Sequence, residues 1–146
     1  MFFHLMLTSE CNLQCKYCFG ESLEDFEDDF DVGNIDYYLP KTVSFDYNTL
    51  REFVSKDPEC ILTFYGGEPL MQIPDIKKVM DIVEAKLFMI QTNGLFLDKL
   101  DSKYVNRFHT ILVSIDGNES VTSYYRGEKT FRKVIDNLKI IKKNNF

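Results

Sequence analysis

The sequence predicts an α/β fold in which parallel strands alternate with helices. Four short apolar runs recur along the 146 residues, and a segment with helical periodicity follows each of them. The runs are apolar on both faces, as is typical of strands in a parallel sheet linked by right-handed crossovers. Polar motifs follow the runs, at the carboxyl ends of the predicted strands, which is where parallel α/β folds bind their ligands.

The first half of the chain supplies two strands and one helix. An apolar run at Phe2–Thr8 predicts the first strand, and His4 within it is expected to pack in the core. Asp46 is a suitable cap for the first helix, which Pro58 ends. The second strand is predicted at about Ile61–Tyr65.

The second half repeats the pattern. Pro74 begins a helix with apolar residues at helical spacing, namely Ile76, Val79, Met80 and Val83. A third strand at about Leu87–Gln91 is followed by a short helix near Leu97–Lys103, and a fourth strand is predicted at about Thr110–Ile115. The last helix carries one apolar stripe, formed by Phe131, Val134, Ile135, Leu138 and Ile141.

Three cysteines follow the first strand with the spacing CxxxCxxC: Cys11, Cys15 and Cys18. Thiolates at these intervals can bind three irons of one 4Fe-4S cluster, which leaves the fourth iron open to a substrate or cofactor. A structural zinc site is the alternative, but it requires four ligands, and Cys60 or His4 would have to complete it from elsewhere in the fold. Cys60 opens an apolar run and is better explained as a small buried hydrophobe.

Composition limits the class of protein. A chain that is 45% hydrophobic is long enough to form one domain with its own core, here residues 1–146. The net charge of −6 argues against nucleic acid as the main partner, because phosphate binding requires a basic face. No apolar run approaches the roughly 20 residues that span a bilayer, and no secretory signal is apparent, so we expect a cytoplasmic protein without membrane contact.

An acidic insertion is predicted at about residues 20–43. Between Glu21 and Asp36 it contains eight acidic residues and neither Lys nor Arg. Such charge blocks are usually solvated loops, and docking of a basic partner is the alternative that remains open.

Two motifs together resemble the radical S-adenosylmethionine (SAM) superfamily. They are the CxxxCxxC motif, with Tyr17 before its last cysteine, and Gly-Gly-Glu-Pro at residues 66–69. Three further motifs resemble the branch that modifies peptides and proteins and often bears a carboxyl-terminal SPASM or twitch extension. These are Thr-Asn-Gly at 92–94, Ser-Ile-Asp-Gly at 114–117 and Tyr-Arg-Gly at 125–127.

The resemblance implies a partial TIM barrel of roughly six β/α units, of which about four are present, so we expect an amino-terminal part of the core domain. It implies a 4Fe-4S cluster held by the three cysteines, and reductive cleavage of SAM to a 5′-deoxyadenosyl radical that acts on a peptide or protein. A reductant such as a flavodoxin or ferredoxin would supply the electron. The chain alone is expected to be inactive or incomplete, and its unpaired sheet edges predict that it self-associates or pairs with the missing half of the core. A non-catalytic iron–sulfur or zinc binding module on the same scaffold is the alternative function.

The resemblance also implies which residues bind SAM. Gly66 and Gly67 would let the backbone approach the cofactor, and Glu68 would accept a hydrogen bond from the methionyl ammonium. Asn93 belongs to the same predicted site. Tyr17 would lie against the adenine, with packing beneath the loop as the alternative.

The last motifs complete this predicted site. Ser114 and Asp116 would point to the same side of the fourth strand, toward ribose hydroxyls or the SAM carboxylate. Arg126 would clamp that carboxylate, although a turn at Asp116 and a surface ion pair at Arg126 remain alternatives. No catalytic residue is predicted beyond the cofactor-binding groups.

Overall fold

The predicted α/β class is confirmed by a computed structural model, which describes residues 1–18 and 41–143. Its strands are β1 (Phe2–Thr8), β2 (Ile61–Gly66), β3 (Leu87–Thr92) and β4 (Phe108–Val113). They form one sheet in the order β1-β2-β3-β4, and all three neighbouring pairs are parallel. The predicted acidic insertion at about 20–43 lies outside the described residues up to position 40.

Helices connect the strands in the predicted order. They are α1 (Tyr47–Val54), α2 (Ile73–Ile82), α3 (Ser102–Val105), α4 (Glu119–Arg126) and α5 (Thr130–Lys143), with short 3₁₀ turns at Pro69–Gln72 and Leu97–Lys99. Asp46 caps α1 as predicted, because its carboxylate accepts a hydrogen bond from the Thr49 backbone N–H at 2.8 Å. Sequence reasoning did not predict α4, which Asn118 caps by accepting from the Val121 N–H.

The core lies between the helices and one face of the sheet. Phe64 of β2 is fully buried at its centre, with ring centroids 6.1 Å from Phe88 and 6.0 Å from Phe108. From the helix side, Ile76 and Val79 of α2 are equally inaccessible to solvent. Burial of this apolar surface is the main force that holds the helices against the strands.

The opposite face of the sheet is partly exposed and mixed in polarity. His4 is exposed there and its ring stacks on Tyr65, with centroids 5.4 Å apart. The expectation that His4 packs in the core is therefore wrong, because alternation along β1 sends Leu5 and Leu7 to the helix side and His4 to the other. Gln91 is also exposed, and it comes from β3.

The fourth strand begins and ends two residues earlier than predicted. Phe108 pairs with Phe88 and is buried, so the ladder starts there rather than at Thr110. The strand ends at Val113, and Ser114 only adds a backbone hydrogen bond to Thr92 at 3.0 Å. Among the described residues, no helix is both long and apolar enough to cross a membrane.

Candidate functional site

The polar motifs meet at one edge of the sheet, as the sequence predicts. The cysteine loop follows β1, Gly66 ends β2, Thr92 ends β3 and Ser114 follows β4. Because all four strands are parallel, their carboxyl ends lie side by side, and the loops that follow them form a continuous rim. Cys60 lies at the opposite end of β2 and is fully buried in the core, so it is a hydrophobic core residue as predicted.

The two glycines after β2 allow the chain to pass close to the segment that enters the cysteine loop. A Cβ on Gly67 would lie 2.5 Å from the carbonyl carbon of Glu10 and closer still to its oxygen. Gly66 has φ +135°, which L residues rarely adopt, and its Cβ would collide with the Thr8 carbonyl oxygen. The Gly67 N–H donates to the Thr8 carbonyl at 2.9 Å, and the Glu68 N–H donates to the Glu10 carbonyl at 2.8 Å. The glycines therefore fix the path of the cysteine loop.

Glu68 joins the ends of β2 and β3. Its side chain has no exposed surface and accepts hydrogen bonds from the Leu70 N–H at 2.9 Å, the Thr92 hydroxyl at 2.7 Å and the Asn93 N–H at 2.7 Å. Burial raises the pKa of this carboxyl, and the hydrogen bonds partly offset that rise. The predicted contact between Glu68 and an ammonium stays a prediction, since the carboxylate in this structure serves the chain itself.

Asn93 connects the end of β3 to the first cysteine. Its Nδ2 lies 3.7 Å from the Cys11 sulfur and 2.7 Å from Asn12 Oδ1. Its own Oδ1 accepts from the Leu95 N–H at 3.0 Å, which fixes which end of the amide faces the thiol. Asn12 and Thr92 are site residues that sequence reasoning did not single out, although both lie within its motifs.

The three cysteines of the loop are partly buried, and none of the three is in a disulfide bond. Burial raises the pKa of Cys11 and of Cys15, and the neighbouring thiols add to the rise for Cys15. No three His, Cys, Asp or Glu side chains in the described part of the chain converge closely enough to hold a single metal ion. In a cluster each thiol binds a different iron, so three soft thiol ligands on one short loop are a donor set that fits an iron–sulfur cluster.

Tyr17, Asp116 and Arg126 form one hydrogen-bonded group on the other side of the loop. The Tyr17 hydroxyl donates to Asp116 Oδ1 at 2.6 Å, and Arg126 donates to both Asp116 oxygens at 2.7 and 3.1 Å. Arg126 also donates to the Tyr17 hydroxyl. These bonds lower the pKa of Asp116, whereas burial and the bond to Asp116 raise the pKa of Tyr17 to about 12.

The same region docks the loop onto α4. The Lys16 N–H donates to the Tyr125 carbonyl at 2.9 Å, and the Lys16 ammonium lies 3.4 Å from the centroid of the Tyr124 ring. The unpredicted α4 is therefore a support of the cysteine loop. The Asn118 cap ahead of a run ending at Arg126 is the sequence signal that would have identified it.

Ser114 and Asp116 lie beyond β4, because the strand ends at Val113. Strand alternation therefore does not set the directions of these two side chains, contrary to the prediction that they point to the same side. Asp116 is instead oriented by a turn, in which its N–H donates to the Thr122 hydroxyl at 3.2 Å. Contact of either residue with a ribose or a carboxylate stays a prediction.

Replacing Asp116 tests how strongly this group stabilises the fold. We expect Asp116→Asn to lower the free energy of unfolding of the metal-free chain by about 1–3 kcal/mol at pH 7, since charge-assisted hydrogen bonds in a mostly buried pair are lost. The folded pKa of Asp116 is depressed, so its stabilisation is present above the ordinary aspartate pKa of about 3.9 and is lost as the pH falls through the folded value.

Urea unfolding of both chains at pH 7 and near pH 3 measures this difference. Asp136→Asn is the matched control, because the Asp136–Lys139 pair is well exposed and its loss should leave stability nearly unchanged. A difference between wild type and Asp116→Asn that is the same at both pH values would contradict the ionic explanation.

A family model and two related proteins match most of this chain. A family model described as "4Fe-4S single cluster domain" matches residues 3–137. The radical SAM cyclopropyl synthase TigE of Paramaledivibacter caminithermalis is 28% identical over 153 aligned positions, which cover 97% of this chain and 32% of that protein. A cysteine-type anaerobic sulfatase-maturating enzyme of Clostridium novyi is 26% identical and covers 92% of this chain and 38% of that enzyme.

The fold has counterparts among solved structures. Native anSMEcpe with bound AdoMet superposes with a TM-score of 0.70 at 23% identity, covering 99% of this chain and 41% of that one. The same protein with AdoMet and the Cp18Cys peptide gives 0.68 at 22% identity, covering 98% and 40%. The chain thus spans about a third to two fifths of the length of these relatives.

Proposed function

The chain belongs to the 4Fe-4S single cluster domain family within the radical SAM superfamily, and from that premise we propose that it is the core, or part of the core, of a radical SAM enzyme. In this proposal the enzyme modifies a peptide or protein. The predicted cofactors, a 4Fe-4S cluster and SAM, are those of the superfamily. The cluster would deliver the electron that cleaves SAM reductively.

One observation carries the proposal: the loop with three thiols is fixed on both sides by residues of the other motifs. The Gly66–Gly67 turn and Asn93 hold the side that begins at Cys11. Asp116 and Arg126, through Tyr17, hold the other side. A loop that only linked two elements would not require the ends of three other strands to hold it. A cluster site needs a loop that is fixed in this way, because the ligands must be held in position before the cluster binds.

We propose roles for the individual residues on the same basis. Cys11, Cys15 and Cys18 would hold the cluster. SAM would approach the backbone at Gly66 and Gly67, beside the thiols. Glu68 would accept a hydrogen bond from the methionyl ammonium, and it also holds the turn in place. Asn93, Ser114 and Asp116 would complete the SAM site. Arg126 would supply its positive charge, and the aromatic ring of Tyr17 would line one side of it. Arg126 donates to Asp116 through Nε and Nη2 in this structure, so a carboxylate would bind at its Nη1 group or displace Asp116.

The barrel assignment is part of the proposal. The partly exposed sheet face with His4, Tyr65 and Gln91 would line the interior of a partial barrel, with the helices outside. We propose that residues 1–146 form the first four β/α units of such a core, with the insertion at about 20–43. Relatives with peptide substrates support a peptide as the target. A flavodoxin or ferredoxin as reductant and self-association of the chain remain predictions without direct support.

Anaerobic reconstitution with iron and sulfide tests the proposal. We expect a brown chain that contains about four irons and four sulfides. Because the cluster and SAM motifs all lie within this chain, we also expect it to release 5′-deoxyadenosine and methionine from SAM after reduction with dithionite, whereas modification of a peptide by this chain alone is not expected. A colourless chain that binds zinc, or a cluster that assembles without releasing 5′-deoxyadenosine, would favour the alternative, a non-catalytic metal-binding module. Omitting dithionite is the control, because SAM cleavage at the cluster requires an electron.

A further inference from the structure

We propose that Asn93 donates a hydrogen bond to the sulfur of Cys11 and thereby raises the reduction potential of the cluster. This inference rests on the proposed function, because it assumes that Cys11 is a cluster ligand. Asn93 would then act on a cysteine ligand of the cluster, in addition to its predicted role in the SAM site. Asn93 is a positioning residue in this account, since it acts through the sulfur of another residue.

The geometry supports a hydrogen bond to sulfur. Asn93 Nδ2 lies 3.7 Å from Cys11 Sγ, a distance within reach of an N–H···S bond, which is longer than a bond to oxygen because sulfur is larger. The amide has two N–H groups, and the other has Asn12 Oδ1 as its acceptor at 2.7 Å. Both donors of Asn93 are therefore directed to specific partners at the base of the cysteine loop.

The amide is held so that its nitrogen faces the thiol. The Leu95 N–H donates to Asn93 Oδ1 at 3.0 Å, so a flipped amide would bring two donors together at that point. The Asn93 backbone N–H donates to the buried Glu68 carboxylate at 2.7 Å. The Asn93 side chain is only 6% exposed, so water competes little for its donors.

The hydrogen bond is expected to change the reduction potential of the cluster. Reduction adds negative charge to a cluster, and part of that charge resides on the ligand sulfurs, so a donor at a sulfur stabilises the reduced form more than the oxidised form. Hydrogen bonds to sulfur are among the main determinants of cluster potential. Loss of the Asn93 donor should therefore make the cluster harder to reduce, while an acceptor at the same place should have a larger effect.

The test is a redox titration of the reconstituted chain, followed by the EPR signal of the reduced cluster. We expect the midpoint potential to become more negative in Asn93→Ala and more negative again in Asn93→Asp. The aspartate has the same shape and can still accept from the Leu95 N–H, but it places a negative charge where the donor was. Both variants retain the backbone hydrogen bond to Glu68. Asn12→Ala is the comparison variant, because it removes the oxygen that lies 2.7 Å from Asn93 Nδ2 and 4.0 Å from Cys11 Sγ but leaves the Asn93 donor in place, so its potential should not become more negative.

Resonance Raman spectra give a second readout that a purely structural role would not change. In D₂O, exchange of the Asn93 N–H groups for N–D should shift the iron–sulfur stretching bands of wild type and of Asn12→Ala. The shift should be smaller in Asn93→Ala, which lacks that donor. Equal potentials in wild type and both Asn93 variants would overturn the inference, as would a shift in Asn12→Ala as large as that in Asn93→Ala. A wild-type chain that assembles no cluster would instead contradict the proposed function, and this inference with it.

Discussion

Gly67→Ala is expected to destabilise the chain by about 3–5 kcal/mol and to prevent cluster assembly. The added Cβ would overlap the backbone of Ser9 and Glu10, which cannot move aside as a flexible side chain could. Relief of the overlap would separate β2 from the cysteine loop and break the hydrogen bonds from Gly67 to Thr8 and from Glu68 to Glu10. Urea unfolding of the metal-free chain and the iron content after reconstitution measure the two effects.

Gly117→Ala is the matched control for this variant. Unlike Gly67, Gly117 has a positive φ, at +109°, but no atom lies within 4 Å of the position of its Cβ. Its replacement should therefore cost only the backbone strain, about 1–2 kcal/mol, and leave the iron content near that of wild type. If Gly67→Ala unfolds at the wild-type urea concentration and takes up the same iron, the close approach of these segments does not matter.

Cys15→Ser is expected to abolish the cluster and SAM cleavage together. With three protein ligands there is no spare thiol, and a hydroxyl is a poor ligand for iron in a cluster. Since loss of even a hydrogen-bond partner of a ligand typically costs roughly 10–100-fold in metal affinity, loss of a ligand should cost at least as much. Iron and sulfide analysis, the visible absorption of the reconstituted chain and 5′-deoxyadenosine release measure the result.

Cys60→Ala provides the comparison for Cys15→Ser. It also removes a thiol, but from the buried end of β2 that lies opposite the rim. We expect lower stability in urea, because a small cavity forms in the core, and an unchanged cluster content. Full cluster content in Cys15→Ser, or its loss in Cys60→Ala, would show that the ligands have been assigned to the wrong cysteines.

The sequence was sufficient to predict the order of the strands and of every helix except α4. Apolar runs bounded by Gly, Pro and Asp marked the strands within two residues, because short apolar runs that end at turn residues are typical of strands in a parallel sheet. The edge at which the motifs meet followed from the parallel arrangement alone. The main error was β4, where Phe108 joins the sheet by pairing with Phe88, a contact between distant segments that local pattern does not reveal.

The functions of individual site residues were harder to predict. Gly67 has the residue type expected beside a ligand, but in the structure its closest neighbour is the chain's own backbone at Glu10. Glu68 is buried by contacts from β3, which begins 19 positions later, and nothing in its local sequence signals this. Similarly, Tyr17 and Arg126 are separated by 109 positions, so their hydrogen bond depends on the fold as a whole.

The central claim is that three cysteines hold a cluster with one iron open to SAM. The most direct measurement is the EPR spectrum of the dithionite-reduced, reconstituted chain before and after addition of SAM. We expect the signal of a reduced 4Fe-4S cluster whose g values change when SAM is added and do not change when adenosine, which lacks the methionyl group, is added. A cluster signal that SAM leaves unaltered would contradict the account, because it would mean that no iron is open to the cofactor.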